Sequence, residues 1–199
     1  ILEISIVTFL LAISGSIAQF PVGKISDIYD RRRVIIFSTF ASSIFAILSI
    51  MVSGQMYLPD GLATSKTWFY IFFILFSFCS LPMFSLILAH TNDYISKEKF
   101  VAAGAGLQFL FGLGAMSGPF LCSIFMDLVG SNGFFIFLAF FHSIIGFFGI
   151  YRMKIRKTVD NPDSQFVAMP QTITPAGIEL NPTTEPIDEP IKDQNKSMG

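Results

Sequence analysis

Apolar residues run almost unbroken through five stretches of this chain, roughly 1–22, 34–53, 68–91, 101–127 and 133–151. Polar residues gather in the short intervals between them. About 20 apolar residues are enough for a helix to cross the hydrocarbon layer of a bilayer. Lipid offers no partner to backbone N–H and C=O groups, so each stretch is expected to satisfy its own as an α-helix. None shows the ten-residue in-and-out alternation of a barrel strand. The pattern predicts an all-α membrane protein, with a transmembrane domain over residues 1–157.

After residue 157 the pattern changes. Residues 158–199 hold 6 of the 10 prolines, many acids and few aromatics. Such a composition buries too little surface to offset ordering entropy, so a disordered tail is expected there. Within it, Phe166, Val167 and Met169 form a small apolar group, read either as a docking patch or as part of an unstructured tail.

Composition agrees with the hydropathy. Mean hydropathy is +0.63, and charged residues make up 14 % of the 199 positions, against roughly 25 % in soluble domains. The net charge of −1 hides an asymmetry: residues 1–157 carry +4 and residues 158–199 carry −5. Among the intervals, 23–33 and 92–100 and the segment after the last span together hold ten Lys/Arg, whereas 54–67 and 128–132 hold only Lys66. Cytoplasmic loops are enriched in Lys and Arg. That places 23–33, 92–100 and the tail in the cytoplasm, and Ile1 on the outer side. An odd number of spans, an outside start and no initiating Met suggest a fragment of a longer chain. Cys79 and Cys122 both lie within apolar runs and read as plain buried thiols.

Small and weakly polar residues form stripes. In the first span they are Ser5, Thr8, Ala12, Gly15, Ser16 and Gln19. In the fourth they are Gly104, Gly106, Gly112, Gly114, Ser117 and Gly118, followed by Pro119, with Gln108 on the Gly104–Ala115–Cys122 line. Such stripes let helices approach closely or line a wet cavity. Pro119, next to Gly118, is expected to kink the fourth span, and Pro82 the third.

Ionisable groups in spans are costly and so are functional candidates. Glu3 lies about nineteen residues above the first charged interval, roughly 28 Å along a helix, at the outer interface. It reads as a solvated acid or as a proton or cation site. His90 ends the third span in A-H-T-N-D with Asn92 and Asp93, and reads as an interfacial anchor or a gating group. His142, near the middle of the last span, reads as a hydrogen-bonding tie to a neighbouring helix or a titrating site. Asp127 closes the fourth span at the outer surface. No Ser/His/Asp arrangement, metal-ligand spacing or buried carboxylate pair is present in the sequence, so neither an enzyme nor a metal or cofactor site is expected. The cations hug the membrane boundary, where anionic lipid headgroups are the obvious partner, and no nucleic-acid site is expected.

The most informative stretch is Gly23 to Arg33, G-K-I-S-D-I-Y-D-R-R-R. It resembles the signature loop of the major facilitator superfamily, usually G-x-L-[GAS]-D-R-x-G-R-R-[RK]. Gly23, Ser26, Asp27, Arg31, Arg32 and Arg33 match, and Ile25 stands for Leu. Ile28 replaces the usual basic residue and Asp30 the usual Gly. Such departures are commoner in the second copy of the loop, between the eighth and ninth helices. The long polar tail, the lack of a membrane arginine in the next-but-one span, and G-L-G-A-M-S-G-P at Gly112–Pro119 also favour the second half. The sequence is similar to a bacterial branch of the superfamily whose substrates are mostly unassigned.

The resemblance implies helices eight to twelve of a twelve-helix secondary transporter, its C-terminal half, with the N-terminal half missing. A small solute would move by alternating access, proton-coupled or facilitated, through a site near midplane between the halves. Gly23, Asp27, Arg31, Arg32 and Arg33 would be the gating loop. Asp27 would accept hydrogen bonds at a helix N-terminus of the opposite half, and Arg31 or Arg32 would pair with Asp27 or a nearby acid. Glu3, Thr8, Gln108 and His142 are the candidate cavity or proton sites, with His90, Asn92 and Asp93 at a cytoplasmic gate. The expected location is a bacterial inner membrane. The alternative is a non-transporting membrane sensor or scaffold with a partner-binding tail.

Overall fold

A computed structural model describes residues 2–55, 62–155 and 166–169, without the side chains of 54, 55, 62–65 and 97. The described chain forms six α-helices: α1 (Leu2–Ile28), α2 (Arg31–Gln55), α3 (Leu62–Ser80), α4 (Met83–Asn92), α5 (Phe100–Val129) and α6 (Gly133–Ile155). A short 3-10 turn, Lys97–Lys99, precedes α5. Taken with α3 and α4 as one span, five segments are long and apolar enough to cross a membrane.

The helices are longer than the apolar runs that predict them. α1 continues past residue 22 to Ile28, and α2 starts at Arg31, so the expected eleven-residue loop at 23–33 shrinks to Tyr29 and Asp30. A helix does not stop where hydrophobicity stops, because its backbone bonds are satisfied equally well in the interface. The expected span at 68–91 begins earlier, at Leu62, and is broken by a turn at Leu81–Pro82. Pro82 has no N–H to continue the ladder, which gives the break its cause. Pro21 and Pro119, by contrast, lie inside continuous helices. α5 ends at Gly130, whose φ of 79° suits only glycine without strain, and whose N–H returns to the Met126 carbonyl at 2.8 Å.

α2 is the centre of the bundle, packing most extensively on α3 and α6, while α1 leans on α3 and α5 on α6. Its buried face is a run of small hydroxyl residues: Ser38, Thr39, Ser42, Ser43 and Ser49, with Ala46. Lipid tails are as apolar as leucine, so helix association in a bilayer rests on close packing and interhelical hydrogen bonds. Both are seen here. Ser43 Oγ donates to the Ala139 carbonyl at 3.0 Å and lies 2.8 Å from Ser143 Oγ. Ser53 Oγ donates to Asn132 Oδ1 at 2.9 Å. α1 and α3 exchange bonds, Ser14 Oγ to the Ile74 carbonyl at 3.0 Å and Ser77 Oγ to the Leu11 carbonyl at 2.8 Å. Gly15 meets the Leu81 side chain and Gly146 the Phe40 ring, contacts that a Cβ would obstruct. At the far end Phe135 packs edge to face on both Phe69 and Phe73, with centroids 5.5 and 5.3 Å away.

The small-residue stripes are little used for packing among the described helices. In α1 the buried residues are Ser14, Gly15, Ala18, Val22, Gly23 and Ser26, whereas Thr8, Ala12 and Ser16 are exposed. In α5 only Phe100, Gly104 and Cys122 are buried, and a Cβ added at Gly106, Gly112, Gly114 or Gly118 would meet nothing within 4 Å.

Candidate gate at the charged end of the bundle

The end of α1, the start of α2 and the end of α4 converge at one end of the bundle. Asp27 and Arg31 are four residues apart across the α1–α2 turn, and Arg31 Nη2 donates to Asp27 Oδ1 at 2.9 Å. Its other terminal nitrogen, Nη1, donates to Asp93 Oδ1 at 2.8 Å. One guanidinium thus ties three helices together. Its fork of donors in fixed geometry suits it to bridge two carboxylates in this way. The Arg31 side chain is 6 % exposed, Asp93 13 % and Asp27 35 %.

Asp30, which departs from the family pattern, has a role of its own. Its carboxylate accepts from the Arg32 backbone N–H at 3.0 Å, and its backbone carbonyl accepts from Arg33 N–H at 2.8 Å. That is an N-cap for α2. The same carboxylate pairs with the Arg32 guanidinium at 2.9 Å. Arg31 and Arg32 therefore serve different acids, one between helices and one within the turn.

The other expected gate residues lie alongside. His90 stacks edge-on against Tyr94 at 5.0 Å and sits within the electrostatic reach of Asp93, Arg32, Asp30 and Arg31. Asn92 is buried, and its Oδ1 has no hydrogen-bond partner among the described residues. Gly23 has no room for a Cβ because the Phe166 ring lies on it. Arg33 is exposed.

The candidate cavity residues are not brought together. Thr8 Oγ1 donates to its own helix, at the Ile4 carbonyl. His142 is held between α3 and α6, with Nδ1 2.8 Å from the Leu138 carbonyl, Nε2 2.9 Å from Ser80 Oγ and the ring 5.3 Å from Phe76. Glu3 is exposed in the first turn of α1. Gln108, on α5, has a buried Oε1 with no hydrogen-bond partner among the described residues.

Sequence reasoning missed two groups here. One is the hydroxyl face of α2, whose signal, a Ser or Thr at helical spacing through an apolar run, was present at residues 38–49. The other is Ser85, on the buried face of α4, whose partner is 84 positions further along the chain.

Apolar helices of membrane-crossing length, with charges gathered at helix ends, define a multi-pass helical membrane protein. The family model for the Major Facilitator Superfamily matches residues 1–185, and the chain belongs to that family. It is 27 % identical over 160 residues to an uncharacterized MFS-type transporter of Yersinia enterocolitica, covering 80 % of this chain and 37 % of that protein. Similar proteins described in the same words from Yersinia pestis and Yersinia pseudotuberculosis are 24 % identical over the same length. The chain thus spans a little over a third of the length of the curated relatives it matches. No solved structure matches it.

Proposed function

We propose that this chain is the C-terminal helical half of a secondary transporter that moves a small solute by alternating access, either proton-coupled or facilitative. Asp27, Arg31 and Asp93 form its latch. The reading rests on the family and on one observation above all: a nearly buried arginine joins two carboxylates from different helices at the same bundle end. Such a cluster is stable while its members stay in register, and it is strongly weakened when one helix end moves away. That gives the charged end two discrete arrangements rather than a continuum.

In this account the charged end and the tail face the cytoplasm of a bacterial inner membrane. The ten-to-one bias of cations toward that side supports the orientation. The rest of the protein supplies the opposite half, and the solute site lies between the halves. Among the cavity candidates Gln108 is best supported, because its buried amide oxygen has no partner among the described residues. His142 is the least supported, since both of its ring nitrogens already have partners within α3 and α6. Protons, if coupled, would use Glu3 ahead of His142.

The test uses the whole protein reconstituted in vesicles. A solute is first found by ligand-stabilisation screening, and its flux is then compared in wild type, Arg31→Gln and Asp93→Asn. Flux reduced at least tenfold in both variants, with solute binding kept, supports a latch. Unchanged flux in both overturns it.

A further inference from the structure

Residues 166–169 lie in the stretch whose composition predicts disorder, and they are packed against the bundle. The Phe166 ring covers Gly23 and joins the apolar cluster of Ala18, Val22, Val34, Met83 and Leu86. Phe166 N–H donates to Asp27 Oδ1 at 2.9 Å. Met169 is 4 % exposed, and its backbone is gripped at both polar groups by one side chain. Ser85 Oγ donates to the Met169 carbonyl at 2.8 Å and accepts from Met169 N–H at 3.1 Å. A hydroxyl can give one bond and take another, so Ser85 satisfies both backbone polar groups of Met169. Between these anchors Val167 is half-buried and Ala168 exposed.

The receiving surface is a groove between α1 and α4. Its α1 wall is Gly23 and Asp27, and its α4 wall is Ser85 and Leu86. Gly23 opens the notch, Asp27 supplies an acceptor at one end, and Ser85 supplies a paired donor and acceptor at the other. α4 itself is only ten residues long and is separated from α3 by the Leu81–Pro82 turn. Besides its packing on α2 and α5, two polar ties reach it: Arg31 bonds Asp93 just beyond its charged end, and Met169 bonds Ser85 in its first turn.

We propose that Phe166–Met169 is an intrachain ligand of the α1–α4 groove, that its docking fixes α4 against α1, and that its release frees α4 to move about the Leu81–Pro82 break. The segment is a strap over the latch rather than part of it. Asp27 Oδ1 already accepts from Arg31 and from Phe166, and one carboxylate oxygen has two lone pairs. Any rearrangement that withdraws Asp27 from this position therefore releases the strap's first anchor as well. The strap makes the mobility of α4 depend on the tail, independently of what the protein carries.

The experiment uses the whole protein in nanodiscs. Hydrogen exchange is followed at the Phe166 and Met169 amides, together with spin-label distances between exposed Ile25 on α1 and exposed Ile87 on α4 in a cysteine-free background. The amides are expected to be protected at least tenfold over an unstructured peptide in wild type. Protection should vanish in Phe166→Ala, and in Gly23→Leu, which fills the notch while leaving the tail intact. The Ile25–Ile87 distance distribution should broaden in the same variants, while exchange in α2 stays unchanged. Free exchange at both amides in wild type overturns the docking. An identical distance distribution in wild type and Phe166→Ala overturns the coupling to α4. Neither result bears on the transport reading, which is measured by flux.

Discussion

Removing Arg31 should cost more than removing either acid, and the two acids should not be equivalent. An exposed ion pair contributes about 0–1 kcal/mol, because water screens it and two side chains must be ordered. Breaking a buried pair costs about 3–5 kcal/mol, because a desolvated charge is left uncompensated. The Arg31–Asp93 arm, with partners 6 % and 13 % exposed, lies toward the buried limit. The Arg31–Asp27 arm, with its acid 35 % exposed, lies toward the other. Asp93→Ala leaves Arg31 with Asp27 and should cost about 2 kcal/mol, below the full buried value. Arg31→Ala leaves two carboxylates facing a vacated site and should cost about 3 kcal/mol or more. Asp27→Ala also loses the Phe166 amide bond, so its single effect is mixed. Double-mutant cycles remove that contribution. The Arg31–Asp93 coupling should be about 2 kcal/mol, and the Arg31–Asp27 coupling below about 1 kcal/mol. The assay is reversible unfolding of the whole protein in mixed micelles, followed by helical circular dichroism. Equal couplings, or a larger one for Asp27, would refute the inference from burial to strength.

Two further outcomes follow from other parts of the bundle. Asp30→Ala removes both the N-cap of α2 and the ion pair with Arg32, and should cost more than about 1 kcal/mol in the same assay, while Asp30→Gly, which restores the residue usual in the family pattern, loses the same ion pair and should be milder than Ala by only about 0.5 kcal/mol. Ser43→Ala removes the bonds to Ala139 and Ser143 and should cost about 0.6 kcal/mol, whereas Ser43→Leu should cost several times more by forcing α2 and α6 apart.

The membrane spans were legible because lipid leaves a long apolar run few alternatives to a helix. The cluster of Asp27, Arg31 and Asp93 was legible in part. Asp27 and Arg31 are close in sequence, and charges at a membrane boundary are conspicuous. Asp93 stood out as a gate residue, but its pairing with Arg31 joins positions 62 apart, a relation that no local pattern encodes. Helix ends were misplaced at 22 and 34 because hydropathy marks the edge of lipid, whereas hydrogen bonding marks the edge of a helix. The central role of α2 was missed for a similar reason. Serine is near neutral on hydropathy scales, so a run from Ser38 to Ser49 reads as diluted hydrophobicity, although a small hydroxyl residue is what close helix packing in lipid uses. Glycines drew attention to α5 instead, yet most of them face open space in this chain. The disorder expected from composition is an average over 42 residues, of which all but 166–169 lie outside the described residues, and within those four Phe166 fills the notch at Gly23.

Alternating access is tested most directly at Gln108. It lies eight residues into α5, roughly 12 Å along the helix from the charged end. In the whole protein, made cysteine-free apart from Gln108→Cys and placed in sealed vesicles of known orientation, a membrane-impermeant thiol reagent is applied from each side in turn. The account predicts labelling from both sides, with the ratio of the two rates changing at least fivefold when Arg31→Gln is added. Labelling from one side only, or a ratio indifferent to Arg31, would contradict it.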